Sequence, residues 1–146
     1  MESWIFHTFE PLEVRRELAR SYAQRALDLQ PDLPDAHLAR GYSLYYGDRE
    51  YEAALGELAT AQRGLPNDAQ VSLVMGAIQR RQGQWRESTV DLEKAIRLSP
   101  NDVWALENLA YNYQMLRDYQ EANRVVDRGL AIEPRSISLW LLKSRL

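Results

Sequence analysis

The chain has 146 residues, of which 45% are hydrophobic and 27% are charged, a composition typical of a globular protein. Its net charge of −3 and isoelectric point near 5.4 argue against a nucleic-acid-binding protein, because such proteins usually carry a basic surplus. It contains no cysteine, which excludes disulfides and thiolate metal sites. A reducing compartment suits such a chain, so we expect a cytoplasmic protein.

The sequence predicts no membrane association. No stretch approaches the roughly 18 consecutive apolar residues that indicate a membrane-spanning helix. The first residues, MESWIFHTFEPLEVRREL, carry an early glutamate and no basic lead-in to an apolar run, so they do not resemble a signal peptide. No Gly/Ser-rich or Pro-rich linker divides the chain, and one structural unit is the simplest interpretation.

The segment 1–33 is expected to form a degenerate helix pair. Within it, RELARSYAQRALDLQP has the pattern of a second helix, with Ala19, Ala26 and Pro31 in register with the later repeats. MESWIFHTF is its candidate first helix, although it matches the later first helices poorly.

Four prolines recur along the chain at a nearly fixed interval. They are Pro31, Pro66, Pro100 and Pro134. The last three follow one another at the same step (100 − 66 = 134 − 100 = 34), and the first step is longer by one position (66 − 31 = 35). A period of this size indicates an internal structural repeat.

The segment before each of the last three prolines has helical periodicity. It opens with a large aromatic residue. A small residue follows three positions later, an aliphatic residue four positions after that, and a second small residue three positions further on. These positions hold Tyr51, Ala54, Leu58 and Ala61; Trp85, Ser88, Leu92 and Ala95; and Tyr119, Ala122, Val126 and Gly129. Such steps lie on one face of a helix. The proline then ends the helix, because it disfavours helical conformation in the residue before it.

A first helix is predicted before each of these second helices. Each first helix has an apolar stripe and a small residue, Gly41, Gly76 or Ala110, where we expect the two helices to touch. Short turns such as QGQ and LRD predict antiparallel hairpins. The expected N-caps are Asn67, Asn101 and Ser136.

The first of the three predicted helix pairs is longer than the other two by one residue. The step from Gly41 to Tyr51 is 51 − 41 = 10, whereas the step from Gly76 to Trp85 is 85 − 76 = 9. The extra residue lies in YSLYYGDRE, at or near the hairpin turn. We expect it to enlarge that turn and to leave the helix packing unchanged, because surface turns tolerate insertions.

The chain ends in SISLWLLKSRL, which has the pattern of a single apolar helix. No partner helix follows it in this sequence. An apolar surface left uncovered marks a contact surface or an aggregation hazard. We therefore expect either self-association through this helix or a truncated piece of a longer protein.

The repeat resembles the tetratricopeptide repeat, whose 34-residue unit has small residues, an aromatic residue and a proline at these places. Gly76, Trp85, Ser88, Ala95 and Pro100 fill them in one copy. The resemblance implies an all-α fold, an α-solenoid of antiparallel helix-turn-helix repeats in a right-handed superhelix. A single array over 1–146 is expected, divided into a degenerate pair (1–33), repeat 1 (34–67), repeat 2 (68–101), repeat 3 (102–135) and the first helix of a partial fourth repeat (136–146).

The resemblance also implies a concave groove that takes a peptide or helix of a partner protein. The groove candidates are Leu38, Tyr42, Tyr45, Tyr46, Leu73, Val74, Ala77, Arg80, Arg81, Trp104, Glu107, Asn108, Tyr111 and Met115. Asn108 could bond a peptide backbone, and Arg80 or Arg81 could hold a carboxylate. The alternative for any one of these residues is packing between helices, since helical stripes most often mean packing.

One specific version of groove binding is not expected. Family members that bind chaperone C-termini use a clamp of Lys, Asn and Arg side chains on successive first helices. Leu38, Tyr42, Val74, Trp104 and Asn108 stand at the matching places here, so the clamp is absent.

Catalysis and cofactor binding find little support in the sequence. The two histidines, His7 and His37, lie in different segments, and no phosphate-binding loop is present. We therefore expect a protein-interaction scaffold with no enzymatic activity, cofactor or metal. The longer first repeat and GAIQRRQGQW also resemble repeat modules of bacterial signalling proteins, so a regulatory or spacer segment of a larger kinase or cyclase is the alternative.

Overall fold

The computed structural model describes the backbone of residues 12–146 and the side chains of residues 14–146. MESWIFHTF and His7 lie outside the described residues. All regular elements in the described part are helical, which confirms the all-α fold. The helices are α1 (Leu12–Leu29), α2 (Pro34–Ser43), α3 (Tyr51–Gly64), α4 (Ala69–Arg81), α5 (Trp85–Leu98), α6 (Val103–Met115), α7 (Tyr119–Ile132) and α8 (Ile137–Lys143). None of them is both long enough and apolar enough to cross a lipid bilayer.

The chain divides into two compact units, residues 1–65 and residues 66–146. The described part of unit 1 contains α1–α3, and unit 2 contains α4–α8. The helix pairs α2–α3, α4–α5 and α6–α7 lie within the expected ranges 34–67, 68–101 and 102–135. The repeat division itself, the single array over 1–146 and its right-handed superhelix stay predictions.

In unit 1, α2 packs closely on α3 because a glycine stands at their contact. A Cβ atom added at Gly41 would lie only 2.8 Å from Cγ of Leu58, which is fully buried. Ala54 and Ala61 are buried on the same face of α3. The small residues that the periodicity places on one face of the second helix are therefore at the helix contact, as predicted.

The extra residue of the first pair is located in the helix and not in the hairpin turn. Residues Leu44–Asp48 form a π-helical turn that continues α2. The turn that follows has the same conformation in all three hairpins, with a positive φ at Arg49, Gly83 and Arg117. These positions follow one another at the ordinary step (83 − 49 = 117 − 83 = 34), so the normal spacing is already restored at Arg49. The expectation of an enlarged turn is therefore wrong, because a wider helical turn accommodates the residue.

In unit 2, the same close approach occurs at two further positions. A Cβ atom added at Gly76 would lie 2.8 Å from Cγ of Leu92, and one added at Gly129 would lie 2.7 Å from Cδ1 of Leu139. The second contact seats α8 on α7. The largest described cluster of buried apolar residues in unit 2 contains Leu73, Leu92, Ala95, Ile96, Ala105, Leu106, Leu109, Ala110, Val125, Val126 and Leu139.

The N-caps of α4 and α6 lie one residue later than expected. The side chain of Asp68 accepts a hydrogen bond from the backbone N–H of Gln70 at 2.7 Å, and that of Asp102 accepts one from Ala105 at 3.0 Å. The expectation of capping by Asn67 and Asn101 is wrong, because in each Pro-Asn-Asp phrase the asparagine lies in the turn before the cap. Ser136 caps α8 as predicted.

Candidate functional site

Three first helices of unit 2, α4, α6 and α8, line one shallow depression of about 240 Å³, called here the unit 2 depression. Its lining residues are Arg80 from α4; Trp104, Glu107, Asn108 and Tyr111 from α6; and Ser138 and Leu142 from α8. Five of these seven are among the groove candidates predicted from the sequence.

Helical spacing explains why α6 contributes most of the lining. Trp104, Asn108 and Tyr111 follow one another at steps of four and three, which places them on one face of the helix. The side chain of Trp104 is 40% exposed, although it is a large apolar group. The depression therefore offers apolar area to solvent at one side.

Arg80 lies on an aromatic support. The centre of its guanidinium group is 5.2 Å from the centroid of the Tyr111 ring, within the range of a cation–π interaction. The Tyr111 ring packs in turn against Trp85, with centroids 6.1 Å apart. The Nε atom of Arg80 is buried and has no hydrogen-bond partner in the described part of the chain. A buried N–H group without an acceptor is uncommon in folded proteins.

Glu107, the one acidic residue of the lining, is already hydrogen-bonded. Its Oε1 atom accepts from the hydroxyl of Ser136 at 3.0 Å and from the hydroxyl of Ser138. These two serines lie at the start of α8, so the carboxylate of Glu107 ties α6 to α8. Glu107 thus contributes negative charge to the depression, while its Oε1 atom accepts hydrogen bonds from the start of α8.

Comparisons with known proteins match this chain to proteins that are built from similar helix pairs. Residues 79–146 match the family model of the tetratricopeptide repeat. The match covers just under half of the chain, and together with the helix pairs it supports a tetratricopeptide repeat fold. No curated protein sequence matches it.

Solved structures with this fold come from a plant and from bacteria. The tetratricopeptide domain of Arabidopsis OM64 superposes with a TM-score of 0.72 at 18% identity, over 77% of this chain and 92% of that domain. MamA from Desulfovibrio magneticus RS-1 gives 0.74 at 19% identity, over 86% and 70%. A tetratricopeptide repeat protein from Parabacteroides merdae gives 0.78 at 16% identity, over 90% and 52%. At these identities the likeness concerns the fold.

Several groove candidates are buried and offer a partner little or no surface. They are Tyr45, Leu73, Val74, Ala77 and Asn108. Leu73 belongs to the core of unit 2, and the Tyr45 ring packs against Tyr46 and Tyr51 with centroids 4.4 and 6.1 Å away. The placement of these five residues on an open groove surface is therefore corrected.

Asn108 is one of these buried residues. It is only 6% exposed, and its Nδ2 atom donates a 2.7 Å hydrogen bond to the backbone carbonyl of Trp104. One of its two Nδ2–H groups is therefore engaged within the helix, and the low exposure leaves little of the side chain for the expected hydrogen bond to a peptide backbone. Asn108 contributes to the wall of the depression and not to its exposed surface.

The remaining candidates are accessible, but they do not all lie together. Tyr42 and Tyr46 belong to unit 1, where their rings stack with centroids 5.8 Å apart, and Leu38 is half-buried in the same unit. Arg81 and Met115 are exposed in unit 2, yet neither lines the unit 2 depression. The structure thus brings together Arg80, Trp104, Glu107, Asn108 and Tyr111.

Ser138 and Leu142 were missed, although the repeat period points to them. Ser138 stands one full repeat after Trp104, and Leu142 stands one full repeat after Asn108 (138 − 104 = 142 − 108 = 34). Extending the groove positions of the predicted repeat 3 into the predicted partial fourth repeat identifies both residues.

Unit 2 has a second depression, of about 170 Å³, between α5, α6 and α7. Its polar groups already have partners. Tyr113 donates a 2.6 Å hydrogen bond to Glu93, and burial, together with that carboxylate, raises the pKa of its hydroxyl. The hydrogen bond with Glu121 raises the pKa of Arg124, and Arg128 donates to the carbonyl of Pro100. This depression therefore has fewer unused donors than the one around Arg80.

The described residues contain no cluster of three or more His, Cys, Asp or Glu side chains that could hold a metal ion. His37 contacts two acceptors within unit 1. Its Nδ1 atom lies 2.6 Å from Glu57 and its Nε2 atom 2.9 Å from the carbonyl of Pro31. The ring therefore links the turn before α2 to α3, which is a structural use of this histidine.

Proposed function

We propose that this chain is a protein-interaction module, and that the unit 2 depression binds a segment of a partner protein. The fold supports the general class, because stacked helix hairpins present extended binding surfaces. The observation that carries the proposal is the meeting of Arg80, Trp104 and Tyr111 around one depression.

The residue types favour protein recognition. Tryptophan, tyrosine and arginine are enriched at interfaces and supply most hot spots, because they combine large contact area with a polar group. A partly exposed Trp104 beside an arginine held on an aromatic ring gives both an apolar contact and a charged donor. The depression is shallow, which suits a polypeptide segment better than an enclosed small molecule.

Affinity capture from the source cell tests this proposal. We expect Trp104→Ala to lose captured proteins that the parent chain retains. Tyr22→Ala is the matched control, because Tyr22 is a 67% exposed aromatic residue on α1, outside the depression. Helix content by circular dichroism confirms that both variants fold. Equal capture by the parent and Trp104→Ala would remove the depression as the binding site.

A second candidate function is self-association through α8. The helix is anchored by fully buried Leu139, while Ile137, Trp140 and Leu141 are exposed. Three exposed apolar side chains on one short helix form a candidate contact surface. The sequence-based alternative of a larger kinase or cyclase stays a prediction, which the adjoining coding sequence tests.

Sedimentation at several protein concentrations tests self-association. We expect a concentration-dependent dimer that Trp140→Glu disrupts. The substitution should leave the fold intact because Trp140 is 55% exposed, and its indole N–H reaches only the carbonyl of Pro134 within the described chain. A monomer at every concentration would eliminate this candidate and would leave the proposal for the unit 2 depression unaffected.

A further inference from the structure

We infer that the partner segment places an acidic side chain on Arg80 and an apolar side chain next to it on Trp104. This inference rests on the proposed function and specifies the chemistry of the partner at the same depression. Its occupant is a polypeptide segment with an aspartate or glutamate close to a bulky apolar residue.

The first argument is the unused donor capacity of Arg80. A guanidinium group carries five N–H donors. The described part of the chain provides Arg80 with a ring contact to Tyr111, and no hydrogen bond or ion pair accompanies it. Nε is the buried nitrogen of the group, which leaves the terminal nitrogens for an incoming acceptor. A carboxylate matches two such nitrogens by parallel hydrogen bonds.

The second argument is that Arg80 is held in position before binding. The Tyr111 ring supports the guanidinium group, and Trp85 packs against that ring. Trp85 opens α5, so the support is fixed to the second helix of the same hairpin as Arg80. A donor that is already oriented loses less conformational entropy when its partner arrives.

The third argument concerns the charge of the ligand group. The lining contains one cation, Arg80, and one anion, Glu107. Sites for phosphorylated segments usually gather several arginines, since a phosphate group carries close to two negative charges. A carboxylate carries one charge and is repelled less by Glu107. The balance therefore favours an acidic side chain over a phosphorylated one.

The fourth argument is the apolar area beside the arginine. Trp104 exposes much of its ring, and Leu142 lines the same depression from α8. Burying apolar surface contributes about 25 cal/mol for each Å² removed from water, so an apolar side chain here adds affinity that an acidic residue alone lacks.

Selection from a displayed library of random peptides, followed by binding measurements on synthetic peptides, tests the inference. The target is the whole chain. Selected sequences should be enriched in aspartate or glutamate near an apolar residue. Replacing that acid by its amide, or Arg80 by Gln, should each weaken binding roughly 10- to 100-fold, the usual effect of losing hydrogen bonds to a charged group. Rising salt should weaken binding of the acidic peptide.

The controls separate charge, geometry and folding. Arg86→Gln removes an exposed arginine from α5, outside the depression, and should bind as the parent does. Arg80→Lys keeps the charge but lacks the planar fork, so it should recover only part of the affinity. Thermal melts of each variant show whether the fold is retained.

The outcomes distinguish the inference from the proposed function. Selected peptides without acidic enrichment, or equal binding by Arg80→Gln, would overturn the inference and leave the binding site in place. A phosphoserine peptide that binds at least tenfold more tightly than its glutamate counterpart would overturn the choice of a carboxylate. Selection that yields no peptide preferring the parent chain over Trp104→Ala would overturn both proposals.

Discussion

The side-chain amide of Asn112 donates a 2.7 Å hydrogen bond to the hydroxyl of Ser88, and both residues are fully buried. Ser88 donates its own proton to the backbone carbonyl of Gly76 at 2.6 Å. The bonds therefore join α4, α5 and α6, so a polar link connects two successive helix pairs inside unit 2. The Oδ1 atom of Asn112 is buried and has no partner in the described part of the chain.

Removing one partner of this link should cost more than removing both. We expect Ser88→Ala to lower the free energy of unfolding by about 1–3 kcal/mol, because Asn112 then keeps only a long 3.4 Å contact with Thr89. Combining Ser88→Ala with Asn112→Leu should recover part of that loss. Urea unfolding of the single and double variants measures the coupling, and strictly additive effects would contradict the link.

Gly76 and Gly56 should respond oppositely to substitution. Gly76→Leu would drive a side chain into Leu92 and the carbonyl of Ser88, and overpacking of this kind typically lowers the free energy of unfolding by about 1–3 kcal/mol or more. A Cβ atom added at Gly56, which is exposed within α3, meets no atom within 4 Å. Gly56→Ala should therefore stabilise by roughly 0.5–1 kcal/mol, since alanine favours the helix. Thermal melts compare the two variants.

The hairpin turns provide a test of backbone strain without a change in packing. Gly83 has φ of +76°, and an added Cβ atom there meets no neighbour within 4 Å. We expect Gly83→Ala to lower the free energy of unfolding by about 1 kcal/mol through conformation alone. Arg117 adopts the same region at +61° and is exposed, so Arg117→Gly should stabilise by a few tenths of a kcal/mol at most. Loss of stability in Arg117→Gly would show that its side chain contributes more than its backbone strain removes.

Asp91 should make stability depend on pH. Burial raises the pKa of its carboxyl group above the ordinary value, although the hydrogen bond from Gln79 and the charge of Lys94 oppose that shift. The folded state therefore binds the proton more tightly than the unfolded state. This contribution to stability is complete below the unfolded pKa of about 3.8 and is lost as the pH rises through the folded pKa.

Asp91→Asn should accordingly increase stability at neutral pH, and its advantage over the parent should shrink in acid. The asparagine would also bring an N–H donor near the buried Oε1 atom of Gln79, which has no partner in the described chain. Asp32→Asn, at an exposed turn position, is the control. Chemical unfolding at several pH values measures the difference, and a constant offset at all pH values would argue against titration of Asp91.

The sequence predicts helices and their contact faces well, because both follow from periodicity. Steps of three and four residues identify the buried face of each second helix, and Gly41 and Gly76 lie at contacts too close for a larger residue. These features depend on local spacing and on volume, and both can be derived from the order of residues.

Burial of the groove positions was harder to predict, since it depends on neighbouring helices. Leu73 and Glu107 stand one repeat apart (107 − 73 = 34) and occupy equivalent places, yet Leu73 is in the core and Glu107 lines the depression. Ala77 and Tyr111 differ in the same way. Periodicity identifies the face of a helix, whereas the size and polarity of each side chain, together with its surroundings, decide whether that position is open.

The π-helical turn at Leu44–Asp48 lets the chain hold an extra residue without a change in how the helices pack. One surplus residue enters at the end of α2, and the regular repeat spacing resumes by Arg49, so the second helix of that hairpin keeps its packing face toward Gly41. Homologues that gain or lose a residue here can therefore diverge in length without any compensating change elsewhere. Alignments of such sequences should place their gaps within this turn.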